Sequence, residues 1–181
     1  MCIYNLYGKS CAILGFLKGA AMIINELKEK LAGIAVQFAV ADGVEGAHVV
    51  PRVVEMDRAV RGTDLEVTVP PEQVTDAARI LDEAQYVLEA ITGIDWPADQ
   101  RMEIVYDYTN TNSGQRVTVR AFVPREAPEL PTLSGIYPGA DWHERETHDF
   151  FGVIFTGHPD LTPLLLPEDA DFHPLRKDFE G

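Results

Sequence analysis

Two runs, "RMEIVYDYTN" (101–110) and "QRVTVRAFVP" (115–124), alternate apolar and polar residues on either side of the turn sequence "TNSG". Successive side chains of a strand point to opposite faces, so alternation of this kind builds strands with one buried face. A short glycine-containing connection between two such runs closes them into an antiparallel hairpin. A hairpin alone is marginal in water, and this one constrains the rest of the chain to supply more strands and a helical cover.

That material lies upstream. "DLEVTV" places Leu65, Val67 and Val69 on one face, a weaker strand signal covers His48–Val54, and "GIAVQFAVAD" (33–42) alternates Ile34, Val36, Phe38 and Val40 before an Asp42-Gly43 turn. Ile23, Ile24, Leu27 and Leu31 recur at helical spacing, with Glu26, Lys28, Glu29 and Lys30 on the other side. "PPEQVTDAARILDEA" (70–84) opens on prolines suited to a helix's first turn and carries Val74, Ala77, Ala78 and Leu81 on one stripe. These patterns predict an α+β fold over residues 22–123, a mixed or antiparallel sheet with helices packed on it.

After Val123 the character changes. "PREAPELPTLSGIYP" (124–138) holds four prolines, so residues 124–181 read as an extended, Pro-rich C-terminal docking region, interrupted by one short charged helix near 139–150. Residues 1–21 read as a leader of uncertain standing, with Met22 as an alternative start. Lys18 divides its apolar stretch "SCAILGFLKGAAMII" (10–24), and neither half reaches the roughly 20 residues a membrane span needs. The run Ala12–Leu17 is also short for a signal peptide.

Charge and cysteine content exclude several functions. A net charge of −14 over 181 residues repels phosphate backbones, so no nucleic-acid partner is expected. Cys2 and Cys11 cannot build a Cys-rich zinc site or an iron–sulfur cluster, and without a disulfide framework a reducing compartment is the natural setting.

"WHERETHDFFG" (142–152) carries the densest chemistry. A helical zinc pair needs histidines at i and i+4, whereas His143 and His148 stand five apart, about 140° around a helix. Glu144 with His148 and Arg145 with Asp149 do fit i,i+4 pairing on a solvated face. His158 and His173 each precede a proline and belong to loops. Convergence of His143, His148, His158 and His173 on a metal stays open as a hydrolase reading, although no spacing demands it. No G-x-S-x-G elbow, G-x-G-x-x-G turn or P-loop occurs. Pro159, Pro163, Pro167 and Pro174 stiffen the tail, and apolar "LTPLLLP" suits burial against another chain.

The stretch "ADWHERETHDFFGVIFTGHPDLTPLLLPEDADFHPLRKDF" (140–179) closely resembles the signature region of the 30 kDa-type subunit of the proton-pumping NADH:quinone oxidoreductase, respiratory complex I. The resemblance runs through Glu144-Arg145-Glu146, Asp149, Phe150-Phe151-Gly152, His158-Pro159-Asp160, Leu165-Leu166-Pro167 and His173-Pro174-Leu175-Arg176-Lys177. "ITGIDWPADQRMEIVYDYTN" and "RVTVRAFVP" also look like the family's sheet segments, so roughly residues 65–179 are covered. Thr162, where many members carry arginine, and Phe172, where glycine is more usual, depart from the pattern.

The resemblance implies a peripheral-arm subunit on the cytoplasmic face of the cell inner membrane, attached to the membrane only through its complex. It implies no cofactor in this chain, with FMN, iron–sulfur clusters and quinone held by partner subunits, and docking chiefly on the 49 kDa-type subunit, which frames the quinone cavity. The isolated chain is expected to be inactive. Related membrane-bound hydrogenases and F420H2 dehydrogenases use a similar subunit and remain the alternative. The expected docking residues are Glu144, Arg145, Glu146, Asp149, Phe150, Phe151, His158, Pro159, Asp160, Leu165, Pro167, His173, Arg176 and Lys177. Arg145 is expected to be bracketed by Glu144, Glu146 and Asp149, and Arg176-Lys177 to steer docking as a cationic point.

Overall fold

The computed structural model describes residues 24–34 and 52–180. A first helix, α1 (24–34), buries Leu27 and Leu31 and exposes Glu26, Glu29 and Lys30. Then follow β1 (Arg52–Glu55), a short α2 (Arg58–Arg61), β2 (Leu65–Thr68), α3 (Val74–Glu83), β3 (Tyr86–Trp96), β4 (Arg101–Asn110) and β5 (Arg116–Pro124). The last elements are β6 (Glu129–Pro131), α4 (Ala140–Phe151) and β7 (Ile154–Thr156).

Five strands make one sheet in the order β1-β2-β5-β4-β3. All its pairs are antiparallel except β2 with β5, where Leu65 lies opposite Val117 in parallel register. The sheet is therefore mixed, and the fold is α+β. β6 and β7 form a separate two-stranded parallel ribbon with Leu130 opposite Phe155.

The hairpin forms as its alternation predicts, with Met102, Ile104, Tyr106 and Tyr108 on β4 and Val117, Val119, Ala121 and Val123 on β5 all buried. Asn110 closes the turn: its Oδ1 accepts the N–H groups of Asn112 and Ser113, its Nδ2 donates to the Ala84 carbonyl, and Gly114 takes φ +71°. Val74, Ala77, Ala78 and Leu81 of α3 join the same core. The opposite face of the sheet is polar and self-paired. Arg120 lies between Glu66 and Glu103, and Trp96 Nε1 donates to Glu103 at 2.9 Å.

Two expectations change, and one element had no alternation to announce it. Gly33 and Ile34, placed at the start of a strand over 33–42, continue α1, and residues 35–42 lie outside the described residues. The strand expected over His48–Val54 appears as β1 from Arg52, and residues 48–51, like the leader 1–21, lie outside the described residues. β3, eleven residues long, was invisible to simple alternation because a bulge between Leu88 and Ala90 shifts its register.

The core also runs past Val123. Leu130, Leu133, Tyr137, Ala140, Val153 and Phe155 belong to the same buried cluster as the hairpin, and Tyr137 Oη donates to the Tyr86 carbonyl at 3.1 Å. α4 packs against β3, so the C-terminal region is built onto the sheet.

Candidate functional site

α4 carries the charged stretch, and it has two kinds of face. Ala140, Glu144 and Thr147 recur at helical spacing and are buried, with Phe151 continuing the stripe against β3. Phe151 meets β3 at Gly93, where an added Cβ would stand 2.7 Å from its ring, so only glycine admits that ring. Trp142 on the other side is 62% exposed.

A glutamate in a buried stripe needs partners. Glu144 Oε1 accepts the Leu133 N–H at 2.6 Å and Oε2 accepts the Thr132 hydroxyl at 2.5 Å, which ties the helix to the residues after β6. Burial pushes its carboxyl up to about 7, reinforced by nearby Asp141 and opposed by the two hydrogen bonds. His158 Nε2, itself buried, faces Glu144 Oε2 at 3.8 Å and Asp141 at 3.9 Å. His158 Nδ1 accepts the Asp160 N–H at 3.1 Å.

The next turn of the helix grips the loop over residues 160–166. Arg145 donates from Nε and Nη2 to the Thr162 carbonyl, both at 3.1 Å, and its guanidinium lies 5.7 Å from the centre of the Trp142 ring. Asp149, buried, receives the N–H groups of Leu164, Leu165 and Leu166 on Oδ2 at 2.8, 2.7 and 3.3 Å. Cation meets carbonyls and anion meets amides, so each charge is compensated by the dipoles of one short loop. Asp160 closes that loop by accepting the Thr162 N–H, which holds its carboxyl below the usual range.

The C-terminal end of α4 leaves carbonyls that the helix cannot satisfy. The family-like tail supplies donors in order: the His173 ring bonds to Asp149 O at 2.9 Å, Leu175 N–H donates to Phe150 O at 3.2 Å, and Arg176 Nε donates to Phe151 O at 2.8 Å. Gly152 follows at φ +72°, and a Cβ there would overlap His173 and Arg176. His148 bonds to Val153 O at 2.8 Å across the same turn.

A second anchor lies beneath. Asp95 on β3 is paired by both arms of Arg125, at 2.7 and 2.9 Å, and also receives the Lys177 N–H at 2.8 Å. The Arg125 guanidinium holds the Asp95 carboxyl below its ordinary value. Arg125 also reaches Asp178 at 2.5 Å.

The expected residues thus converge, but not in the expected pairs. The helix does not pair Glu144 with His148 or Arg145 with Asp149, because all four side chains find partners off the helix. Arg145 is bonded to the 162–163 loop rather than bracketed by carboxylates, and Arg176 is turned onto a backbone carbonyl rather than outward. Glu146, Pro159, Asp160, Leu165, Pro167 and Lys177 are exposed, while Phe150 and Phe151 are half-buried. The four histidines of 143–173 do not gather, and among the described residues no three His, Cys, Asp or Glu side chains form a group able to hold a metal. Asp95 and Arg125 were missed because their 30-residue separation leaves no local pattern.

This arrangement presents a firm outer surface. Trp142, Leu165, Ile154 and Leu175 are about half or more exposed on a framework whose backbone is bonded from beneath.

The family described as "Respiratory-chain NADH dehydrogenase, 30 Kd subunit" matches residues 67–181. The NADH-quinone oxidoreductase C subunit of Roseiflexus sp. (strain RS-1) is 43% identical over 120 residues, covering 64% of this chain and 69% of that protein. Its counterpart of the same name in Salinispora tropica is 38% identical over 147 residues, covering 77% and 60%. Among solved structures, a chain of the membrane-bound sulfane sulfur reductase, an archaeal respiratory membrane complex, aligns with TM-score 0.61 at 29% identity over 84% of both chains. A trypsin-resistant fragment of Nqo5 aligns with TM-score 0.53 at 30% identity, covering 61% of this chain and 89% of the fragment.

Proposed function

Because the chain belongs to the 30 Kd subunit family of the respiratory-chain NADH dehydrogenase, we propose that it is the 30 kDa-type subunit of a proton-translocating NADH:quinone oxidoreductase. In this reading it is a scaffold of the peripheral arm. It holds no flavin, cluster or quinone of its own, and it supports electron transfer from NADH through FMN and iron–sulfur clusters of other subunits to quinone. Alone it turns over nothing. In this reading it attaches through its partners at the cytoplasmic face of the cell inner membrane; among the described residues no helix is long and apolar enough to cross a membrane.

The observation that carries the reading is the family match over residues 67–181, which includes every residue of the α4 framework. The framework supports docking, because its charges are consumed in holding loops and its apolar side chains are left outside. Glu146, Trp142, Leu165 and the 158–160 turn form the contact face, and the 49 kDa-type subunit at the quinone cavity is the chief partner.

A tagged chain purified from native membranes should bring down NADH:quinone oxidoreductase activity. Elution free of companions, with the activity in other fractions, would remove the reading. The likeness to the sulfane sulfur reductase chain favours a second reading, the equivalent subunit of a membrane-bound hydrogenase or F420H2 dehydrogenase complex. The electron donor accepted by the purified assembly separates the two.

A further inference from the structure

The final corner, residues 167–180, carries an apolar feature turned the wrong way for a lone chain. Phe172 and Phe179 stack with ring centroids 5.5 Å apart and planes 24° apart, yet both are 40% exposed, and Leu175 between them is 51% exposed. This is no loose end. His173, Leu175 and Arg176 are bonded to the last carbonyls of α4, Lys177 N–H donates to Asp95, and Asp178 pairs with Arg125. The backbone therefore holds the stack outward, where apolar surface is unfavourable unless something covers it.

Its rim is acidic. Glu168, Asp169, Asp171 and Glu180 are exposed, and among the described residues none has an ion-pair partner. Arg176, one of only two cations in the stretch, is turned inward onto the Phe151 carbonyl, which leaves Lys177 as the only outward one. The sign of this corner is thus the reverse of what the pair Arg176-Lys177 suggests in the sequence.

We propose that the Phe172–Leu175–Phe179 corner receives a basic segment of a neighbouring subunit, whose arginine or lysine stems lie across the stacked rings while their charged heads meet the carboxylate rim. A guanidinium over a phenyl face gains from the ring quadrupole, and its alkyl stem covers apolar surface. An acidic or wholly apolar segment would strip water from the rim carboxylates and give them no partner. The inference rests on the docked-subunit reading and adds to it the chemistry of one partner face.

The test places p-benzoylphenylalanine at Leu175 of the tagged chain, produced in the cells that make the assembly. Illumination in native membranes and purification follow, and the cross-linked peptide is sequenced. The expected adduct lies in a segment bearing two or more Lys or Arg beside the linked residue. In parallel, the triple variant Glu168→Lys, Asp169→Lys, Asp171→Lys should lower recovery of the chain in the assembly about tenfold, the scale of breaking three charge pairs on the rim together. The melting temperature of the free variant should stay unchanged, because these side chains hold nothing within the chain. If the chain is recovered in the assembly but the adduct falls on an acidic or uncharged segment, or none forms, the basic-partner inference is overturned and docking stands. Undiminished recovery of the triple variant overturns it equally. Absence of the unmodified chain from every assembly overturns the docked-subunit reading as well.

Discussion

The β4–β5 hairpin and the α4 region share one core but are held by different physics. In the hairpin, eight alternating side chains enter the core and the backbone satisfies itself through the ladder. Around α4, ionisable side chains satisfy the backbone of loops that have no ladder: Glu144 for Leu133, Arg145 for Thr162, Asp149 for Leu164–Leu166 and Arg176 for Phe151. A ladder leaves the chain's surface to chance. Side-chain bonding of loops lets the outer face carry Trp142 and Leu165 without loss of order, which suits a surface made to meet another protein.

The largest expected effect breaks the hairpin side. Ile104→Ala removes fully buried methyl groups and should cost about 2–5 kcal/mol, with cooperative loss of the whole fold in denaturant. Preserved α4 contacts in such a variant would show that the two regions do not share a core.

Glu144 sharpens the contrast through pH. Its folded carboxyl titrates near 7, above its unfolded value, so the native state binds the extra proton between about pH 4.5 and 7. Stability should therefore fall as pH rises through that window, by no more than about 3 kcal/mol, and level off above it. Glu144→Gln keeps an acceptor oxygen for the Leu133 N–H and cannot ionise, so it should flatten this part of the profile. Equal slopes for the two proteins would show that Glu144 is not the titrating group.

Asp149→Ala removes the acceptor of three amides and should cost about 2 kcal/mol, the scale of charge-assisted bonds. Hydrogen exchange should quicken at Leu164–Leu166 and hardly change at Tyr106 or Val119. Uniform quickening would mean that the loop has no local stability of its own.

The hairpin, α3 and α4 were legible in the sequence because apolar spacing or charge density marks them within one window. β3 was legible only through the resemblance of "ITGIDW" to the family's sheet segments, since the bulge after Leu88 shifts its register and Gly93, paired with Ile104, also makes room for the Phe151 ring. The docking candidates lie on and around α4, yet their bonding was hidden. Nothing in "HERETHD" distinguishes a glutamate that turns inward to Leu133 from one that pairs along a helix, because the partner is chosen by tertiary position. Asp95 with Arg125 shows the same limit across two strand ends.

The central claim is that α4 and its loops form an assembly surface, and Arg145 tests it most directly. Arg145 is partly exposed and bonded to one loop, so Arg145→Ala should lower the free chain's stability by only about 1 kcal/mol. The measurement is the fraction of chain recovered in the intact membrane assembly, set beside the melting temperature of the free chain. A severalfold loss of assembled chain at a nearly unchanged melting temperature is predicted. Normal assembly with normal electron transfer would contradict the account.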